Sequence, residues 1–418
     1  MSSSRTPQPS RHGTALRRGK ACLNCRHLKI KCDGERPVCG PCTRVPKDDP
    51  CEFTDDGTSR TVELENTIVR LQSRIDELED KDLPPRVAHP LLDAFWPHMT
   101  EVGYFLHPSR LQDVSRPPPA LLFAVYLWSA QLTGQSDMES TFLRRAQTHL
   151  ATETSSASFL YTIQAHVLLS TYMLRNCRLV EAEYYASGAG SLALGYHLNA
   201  SSHSPLDGEQ IRGFWAVVTL QSMLGIAISI LDAPGVEIST PMSGWEEGYS
   251  GSAQTLQAFL YDDVPGSLSA ATSQAAVLLH YSRRQTAGAD ISWLDSRIAR
   301  FWSSLPPIAG YPLAHGLAAT ATIHLHRFRA TADSRGKRIY AATSLVGGPR
   351  AMNPGMPALI ALGCDVLMDE MREAESGGGS LLLLEKLQVG ITALRLYAEN
   401  SPLARYHLGR ILQQHAAF

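Results

Sequence analysis

Apolar residues recur with a heptad rhythm early in the chain. Leu64, Ile68, Leu71, Ile75 and Leu78 stand at gaps of four, three, four and three. With the leucines at d, both isoleucines fall at a, the pairing that favours a parallel two-stranded coiled coil. Arg60 and Arg74 then occupy g, and Glu65 and Glu79 the following e, which sets opposite charges across the seam. The repeat is shorter than the three to four heptads of a secure coiled coil. An amphipathic helix lying on the large domain therefore stays open beside a homodimer through residues 61–83, and the a/d choice and flanking charges favour the dimer. Pro84-Pro85 ends the helix.

Beyond residue 84 the pattern predicts helices throughout. Residues 159–174 are apolar nearly all round, as a buried helix is. A polar turn at 175–178 follows. Ala182, Ala186, Ala189 and Ala193 then form a stripe of small side chains that lets two helices approach closely. Together these segments predict an antiparallel helix pair. Residues 214–231 carry no charge and approach the length of a membrane span. Thr219, Gln221 and Ser222 interrupt the run and no second span follows, so a core helix is expected. Asp365, Asp369 and Glu370, among Val366, Leu367 and Met368, read as an amphipathic helix rather than an acidic activation tail. Strand signals are scarce. The fold class is mainly α: a small cysteine domain, a short coiled coil and a large all-helical domain.

The first fifty-one residues obey no such period and are organised by cysteine. Cys22, Cys25, Cys32, Cys39, Cys42 and Cys51 repeat one unit twice: a cysteine, two residues, a cysteine, a longer gap, a cysteine. Thiolate is the usual ligand of structural zinc, which takes four ligands in a tetrahedron. Six sulfurs give three per ion for two zincs, and each zinc reaches four ligands if two thiolates bridge both. A disulfide scaffold needs an oxidising compartment, yet residues 1–20 hold Ser, Arg and Pro without the apolar run of a secretory signal. The remaining two, Cys177 and Cys364, lie alone in apolar stretches, as buried reduced thiols do.

Residues 21–33, A-C-L-N-C-R-H-L-K-I-K-C-D, and residues 36–42, R-P-V-C-G-P-C, resemble the fungal binuclear zinc cluster family of transcription factors. The resemblance implies that Cys22 and Cys39 bridge the two metals and the other four cysteines bind terminally. It implies that Lys29 reads bases of CGG triplets, that Lys31 adds a base or phosphate contact, and that Arg26 contacts phosphate. His27-Leu28 stands where many members have further basic residues, so fewer phosphate contacts are expected. E-Q-I-R-G-F-W at 209–215 and P-G-V-E-I-S-T-P at 234–241 also resemble the family's helical regulatory domain, which in some members binds a metabolite. The match is diffuse, and Asp232-Ala233-Pro234 replaces a common Gly-Arg-Pro.

Charge agrees with the DNA reading. Residues 1–51 hold eleven Lys and Arg against four Asp and Glu, a net of +7, whereas the whole chain is −2. A basic head on an acidic body suits phosphate binding.

The expected organisation is a disordered basic tail over 1–17, a cluster domain over 18–52, a linker over 53–60, the coil over 61–83 and a regulatory domain over 84–418. The expected function is a nuclear, dimeric, sequence-specific transcription factor acting on RNA polymerase II genes with two zinc ions per chain. Its partners would be duplex DNA, co-regulators and a small-molecule effector, with no membrane. A repressor of the same chemistry, a zinc module for protein contacts, and a helical enzyme or sensor fused to the head are the alternatives. His-Glu-x-x-His, Gly-x-Ser-x-Gly and dinucleotide fingerprints are absent from the sequence. His149, His166 and His197 lie in helical contexts that suit structural histidines.

Overall fold

The computed structural model describes residues 20–45, 51–53, 64–71, 83–111, 117–152, 158–200, 208–242, 255–261, 270–306, 310–348, 352–373 and 379–416. The chain divides into two compact units, residues 1–84 and 85–418. Among the described residues there is no strand, so the fold is mainly α with a cysteine cluster near its N-terminus.

The first unit holds two one-turn helices, α1 (Leu23–His27) and α2 (Gly40–Arg44), and a helical stretch over 64–71. Its interior is made of cysteine. Cys22, Cys25, Cys32, Cys39 and Cys42 are buried together, with Ala21, Cys51 and Phe53 packed against them. Leu28, Ile30, Val38 and Val45 all face outward. Among the described residues this unit buries no Leu, Ile or Val, and so short a segment is not held by apolar burial of that kind; a structural metal is the usual remedy.

The second unit opens with α3 (Pro85–Phe95), which carries Pro85 at its first position, where a missing N–H does no harm. Next come α4 (Pro119–Thr133), α5 (Ser136–Thr152), α6 (Phe159–Arg175), α7 (Leu179–Gly195), α8 (Gly208–Leu224) and the short α9 (Leu256–Tyr261). The chain finishes with α10 (Ala271–Arg283), α11 (Ser292–Ser304), α12 (Pro312–His326), α13 (Ala332–Gly347), α14 (Met356–Glu373), α15 (Gly379–Ala398) and α16 (Pro402–Ala416). Contacts run mainly between helices one or two places apart, as in α6 with α7 and α8, or α10 with α12. Longer closures exist too: α16 returns to α6, the Asn400 carbonyl just before α16 accepts from Arg175 at 3.1 Å, and Asn353 donates to the Glu101 carbonyl at 2.9 Å.

The helix pair is present as α6 and α7. Ala182, Ala186, Ala189 and Ala193 are all fully buried, and Ser170 donates to the Ala182 carbonyl at 2.7 Å. So close an approach excludes larger side chains. The expected helix over 214–231 is shifted: α8 starts at Gly208 and stops at Leu224. Gly225 adopts φ 72°, and its amide and that of Ile226 both return to the Gln221 carbonyl, a left-handed helix stop. Two minor readings also change. Cys177 is half-buried in the α6–α7 turn at φ 59°, whereas Cys364 is buried as expected. His197 lies just past α7 at φ 58° rather than inside a helix. Of the described helices, none is long and apolar enough to cross a membrane.

Candidate metal centre and nucleic-acid interface

The doubled cysteine unit becomes a doubled local structure. Cys22 and Cys39 are the N-cap residues of α1 and α2, both with extended backbone (ψ 156° and 151°). Cys25 and Cys42 follow three positions on, in the first turn, so each pair faces one point. The Cys25 amide donates to the Cys22 sulfur at 3.4 Å, and the Cys39 amide to the Cys51 sulfur at 3.3 Å. The Leu23 amide donates to the Glu52 carbonyl at 2.8 Å, which brings the end of the cysteine segment back to its start.

Sulfur spacing tests whether metal fits. Cys22 lies 3.6 Å from Cys39 and 3.8 Å from Cys42, and Cys25 lies 3.6 Å from Cys39. A disulfide would need about 2.05 Å between sulfurs. A tetrahedron of thiolates at about 2.3 Å from zinc has edges of about 3.8 Å, which is the spacing found. The Sγ atoms of Cys22, Cys25, Cys39 and Cys42 all lie within 4.8 Å of one another. Cys32 Sγ lies within 4.8 Å of Cys39 Sγ as well. Burial is the leading cause that raises the Cys22, Cys25, Cys39 and Cys42 thiols above their ordinary range. A bound divalent cation reverses that preference and holds them as thiolates.

Asp33 is a supporting residue that the cysteine pattern did not single out. Its carboxylate accepts from the Gly40 amide at 3.0 and 3.1 Å and from the Glu35 amide at 3.3 Å. It thereby fixes the loop between the two units to the start of α2. A Cβ on Gly40 would collide with this carboxylate, so glycine there permits the approach. The Asp33-Gly34 turn dipeptide was the available sequence signal, and Gly34 indeed has φ 75°.

Lys29 is held in an uncommon conformation. The Ile30 amide donates to the Cys25 carbonyl at 3.0 Å and the Lys29 amide to the Arg26 carbonyl at 3.2 Å. These two bonds form a Schellman stop, which places Lys29 at the left-handed position usually taken by glycine. Its φ is 52°. Lys29 and Lys31 are exposed, and Arg26 is half-buried in the last turn of α1. All three lie within seven residues of Cys25, on backbone that the cysteines fix.

Residues 20–60 match the family model described as "Fungal Zn(2)-Cys(6) binuclear cluster domain". This segment is a fungal binuclear zinc cluster domain. Such a domain binds two zinc ions, and the cysteine cage described above suits them. The chain is also similar to a citrinin biosynthesis transcriptional activator of Monascus ruber, 31% identical over 129 residues, covering 29% of this chain and 25% of that protein. A Monascus purpureus protein of the same description is 31% identical over 129 residues, 29% of this chain and 22% of its own length. An uncharacterized transcriptional regulatory protein of Schizosaccharomyces pombe is 35% identical over 92 residues, 19% of this chain and 12% of that protein. The matches thus span a quarter or less of each relative. No solved structure matches the chain.

Outside the binuclear cluster domain, Leu64, Ile68 and Leu71 lie on the helical stretch 64–71 and are 53%, 54% and 54% exposed. Ile75 and Leu78 lie outside the described residues, as do the tail 1–17 and most of the linker. The second unit contains a hydrogen-bonded Ser334–His326–Asp295 chain, with His326 Nδ1 3.0 Å from Ser334 Oγ and Nε2 3.1 Å from Asp295 Oδ1. It has the connectivity of a hydrolase triad. Ser334 and His326 are only 3% and 2% exposed, and Ser334 is tied into the Thr331 cap of α13. These bonds tie α11, α12 and α13 together. His166 likewise bonds the Thr162 carbonyl at 2.9 Å within α6.

Proposed function

We propose that the protein is a nuclear transcription factor that reads DNA through its binuclear cluster domain. Cys22 and Cys39 bridge two zinc ions, and Cys25, Cys32, Cys42 and Cys51 complete the two tetrahedra. Lys29 and Lys31 face the major groove, where lysine can bond guanine at O6 and N7, and Arg26 neutralises phosphate. The recognised unit is a CGG triplet. Two chains pair through residues 61–83, so a site consists of two triplets upstream of RNA polymerase II genes. The sign of regulation follows the Monascus relatives, which are named as activators.

The observation that carries this reading is Lys29. A lysine occupies a left-handed turn that favours glycine, at the end of a helix pinned by thiols, with its side chain in solvent. Residues held in sparsely populated conformations cluster at functional sites. A second reading takes support from the outward Leu28, Ile30, Val38 and Val45, an apolar surface that suits a protein-contact module.

Salt separates the two. Binding to a CGG-bearing duplex should weaken linearly in log salt, with a slope of roughly −0.9 for each neutralised phosphate. Arg26→Ala should lower the slope by about one and weaken all duplexes alike, whereas Lys29→Ala should relax preference at the triplet. Binding that neither responds to salt nor distinguishes CGG from a scrambled triplet would favour the contact module.

A further inference from the structure

α8 is a core helix with one face that protein does not cover. Phe214, Trp215, Val217, Val218 and Leu220 are buried, yet Arg212, Ala216, Thr219 and Met223 remain partly accessible. Those four recur at gaps of four, three and four, a single stripe along the helix. The stripe forms one wall of a cavity of about 620 Å³, within the few hundred to about 1,000 Å³ of small-molecule sites. The opposite walls come from the segment after α3 (Tyr104, Phe105), from α6 (Val167, Thr171), and from the starts of α10 and α12.

The lining defines the chemistry of an occupant. Phe105, Trp215 and Tyr311 supply aromatic surface, and Met223 and Met242 supply adaptable thioethers. Polar groups converge at few points. Arg212 is anchored by its Nε, which donates to the Phe105 carbonyl at 2.7 Å. Thr272 and Ser273 lie in the first turn of α10, and Pro312 and Leu313 in that of α12. Neither helix has a side-chain cap bond at its N-cap, Ala270 or Tyr311, so two positive helix ends meet the same space. Glu101 is the carboxylate at the wall, 3.5 Å from the His98 imidazole. Glu209, one turn before Arg212, is held by Arg110 at 2.8 Å and by the His107 amide at 2.8 Å, with Arg212 adding a weaker favourable charge.

We infer that this cavity is a binding site for an apolar, ring-bearing small molecule that carries one anionic group. Rings lie along the α8 stripe, and the anion meets Arg212 and the two helix starts. The inference does not rest on the DNA-reading proposal, because the whole site belongs to the helical unit.

The full-length protein can be titrated with two fluorescent probes that share one ring system. 1-Anilinonaphthalene-8-sulfonate is a ring-bearing monoanion, and N-phenyl-1-naphthylamine is its neutral counterpart. The sulfonate should saturate one site per chain, raise the melting temperature of the helical unit, and bind more tightly than the neutral probe. Ala216→Trp should fill the cavity and weaken both probes at least about tenfold, and Arg212→Gln should weaken the sulfonate alone by about tenfold, one factor of ten in Kd. Far-ultraviolet circular dichroism checks that each variant is folded. If Ala216→Trp does not fold, Ala216→Leu places a smaller plug on the same stripe and should weaken both probes in the same order. Failure of the wild-type protein to bind either probe, or equal binding by wild type and folded plugged variants, overturns the site. Equal loss of both probes in Arg212→Gln overturns the anionic part.

Discussion

Lys29 concentrates the relation between strain and recognition at a single residue. A non-glycine side chain in the left-handed region is disfavoured by about 1–2 kcal/mol. Glycine at this position would relieve that strain and remove the ammonium. Lys29→Gly should therefore bind two zinc ions, melt no lower than the parent domain, and lose about 1–3 kcal/mol of preference for the triplet. A variant that melts lower would show that Lys29 stabilises the head instead of reading DNA. Cys39 invites a paired comparison with Cys51. Each substitution by alanine removes one thiolate, but loss of the shared Cys39 should deplete both metals and loss of Cys51 only one. Native mass spectrometry of the two variants checks this, and equal zinc content would exclude Cys39 as a bridge.

At the scale of elements, legibility followed the kind of constraint. The cysteine spacing was fully readable because metal ligation fixes residue type and separation together. The α6–α7 pair was readable because an apolar run and a small-residue stripe have helical period. The ends of α8 were not. An uncharged run continues past Leu224, but Gly225 at φ 72° ends the helix there, and hydrophobicity alone does not register that turn. Asp33 escaped notice because its role depends on reaching Gly40, seven residues away, and a sequence pattern does not show such a meeting. The cavity was hidden for a related reason. Arg212, Ala216, Thr219 and Met223 share no chemistry, and only their common exposure on a buried helix unites them.

The exposed Leu64–Ile68–Leu71 seam yields a prediction of its own. Ile68→Asp together with Ile75→Asp should bury charge wherever that seam meets a second copy, at a penalty of several kcal/mol. Sedimentation should show loss of the dimer, and affinity for a paired site should drop to that of one half-site. Retained cooperative binding would place the dimer contact in residues 85–418 and favour a helix packed on that unit.

Across the whole molecule, the two units should respond differently to acid. In the head, zinc thiolates compete with protons, so metal leaves as pH falls. In the helical unit, burial lowers the His166, His280, His324 and His407 imidazoles below their usual value. For His324, burial and the nearby Arg283 and Arg327 bring it to about 3. These rings fold neutral and gain protons in the unfolded chain once pH falls below its value near 6.5. Stability of the unit should therefore decline progressively from about pH 6.5 towards 3, by at most about 1.4 kcal/mol per pH unit for each ring. The half-buried His324 should contribute less than that limit. Melting curves of wild type and His324→Gln check this, with a shallower decline expected in the variant. Equal slopes would show that His324 is not a source of acid sensitivity.

The measurement that bears most directly on the proposed function is an unbiased selection. Zinc-loaded full-length protein is mixed with random duplexes, and the bound fraction is sequenced. The proposed arrangement of Lys29, Lys31 and Arg26 on a two-zinc frame, carried by a dimer, predicts enrichment of paired CGG triplets at a preferred spacing, abolished by chelator and lost in Lys29→Gly. Recovery of random sequence, or of a motif that Lys29→Gly binds equally well, would contradict it.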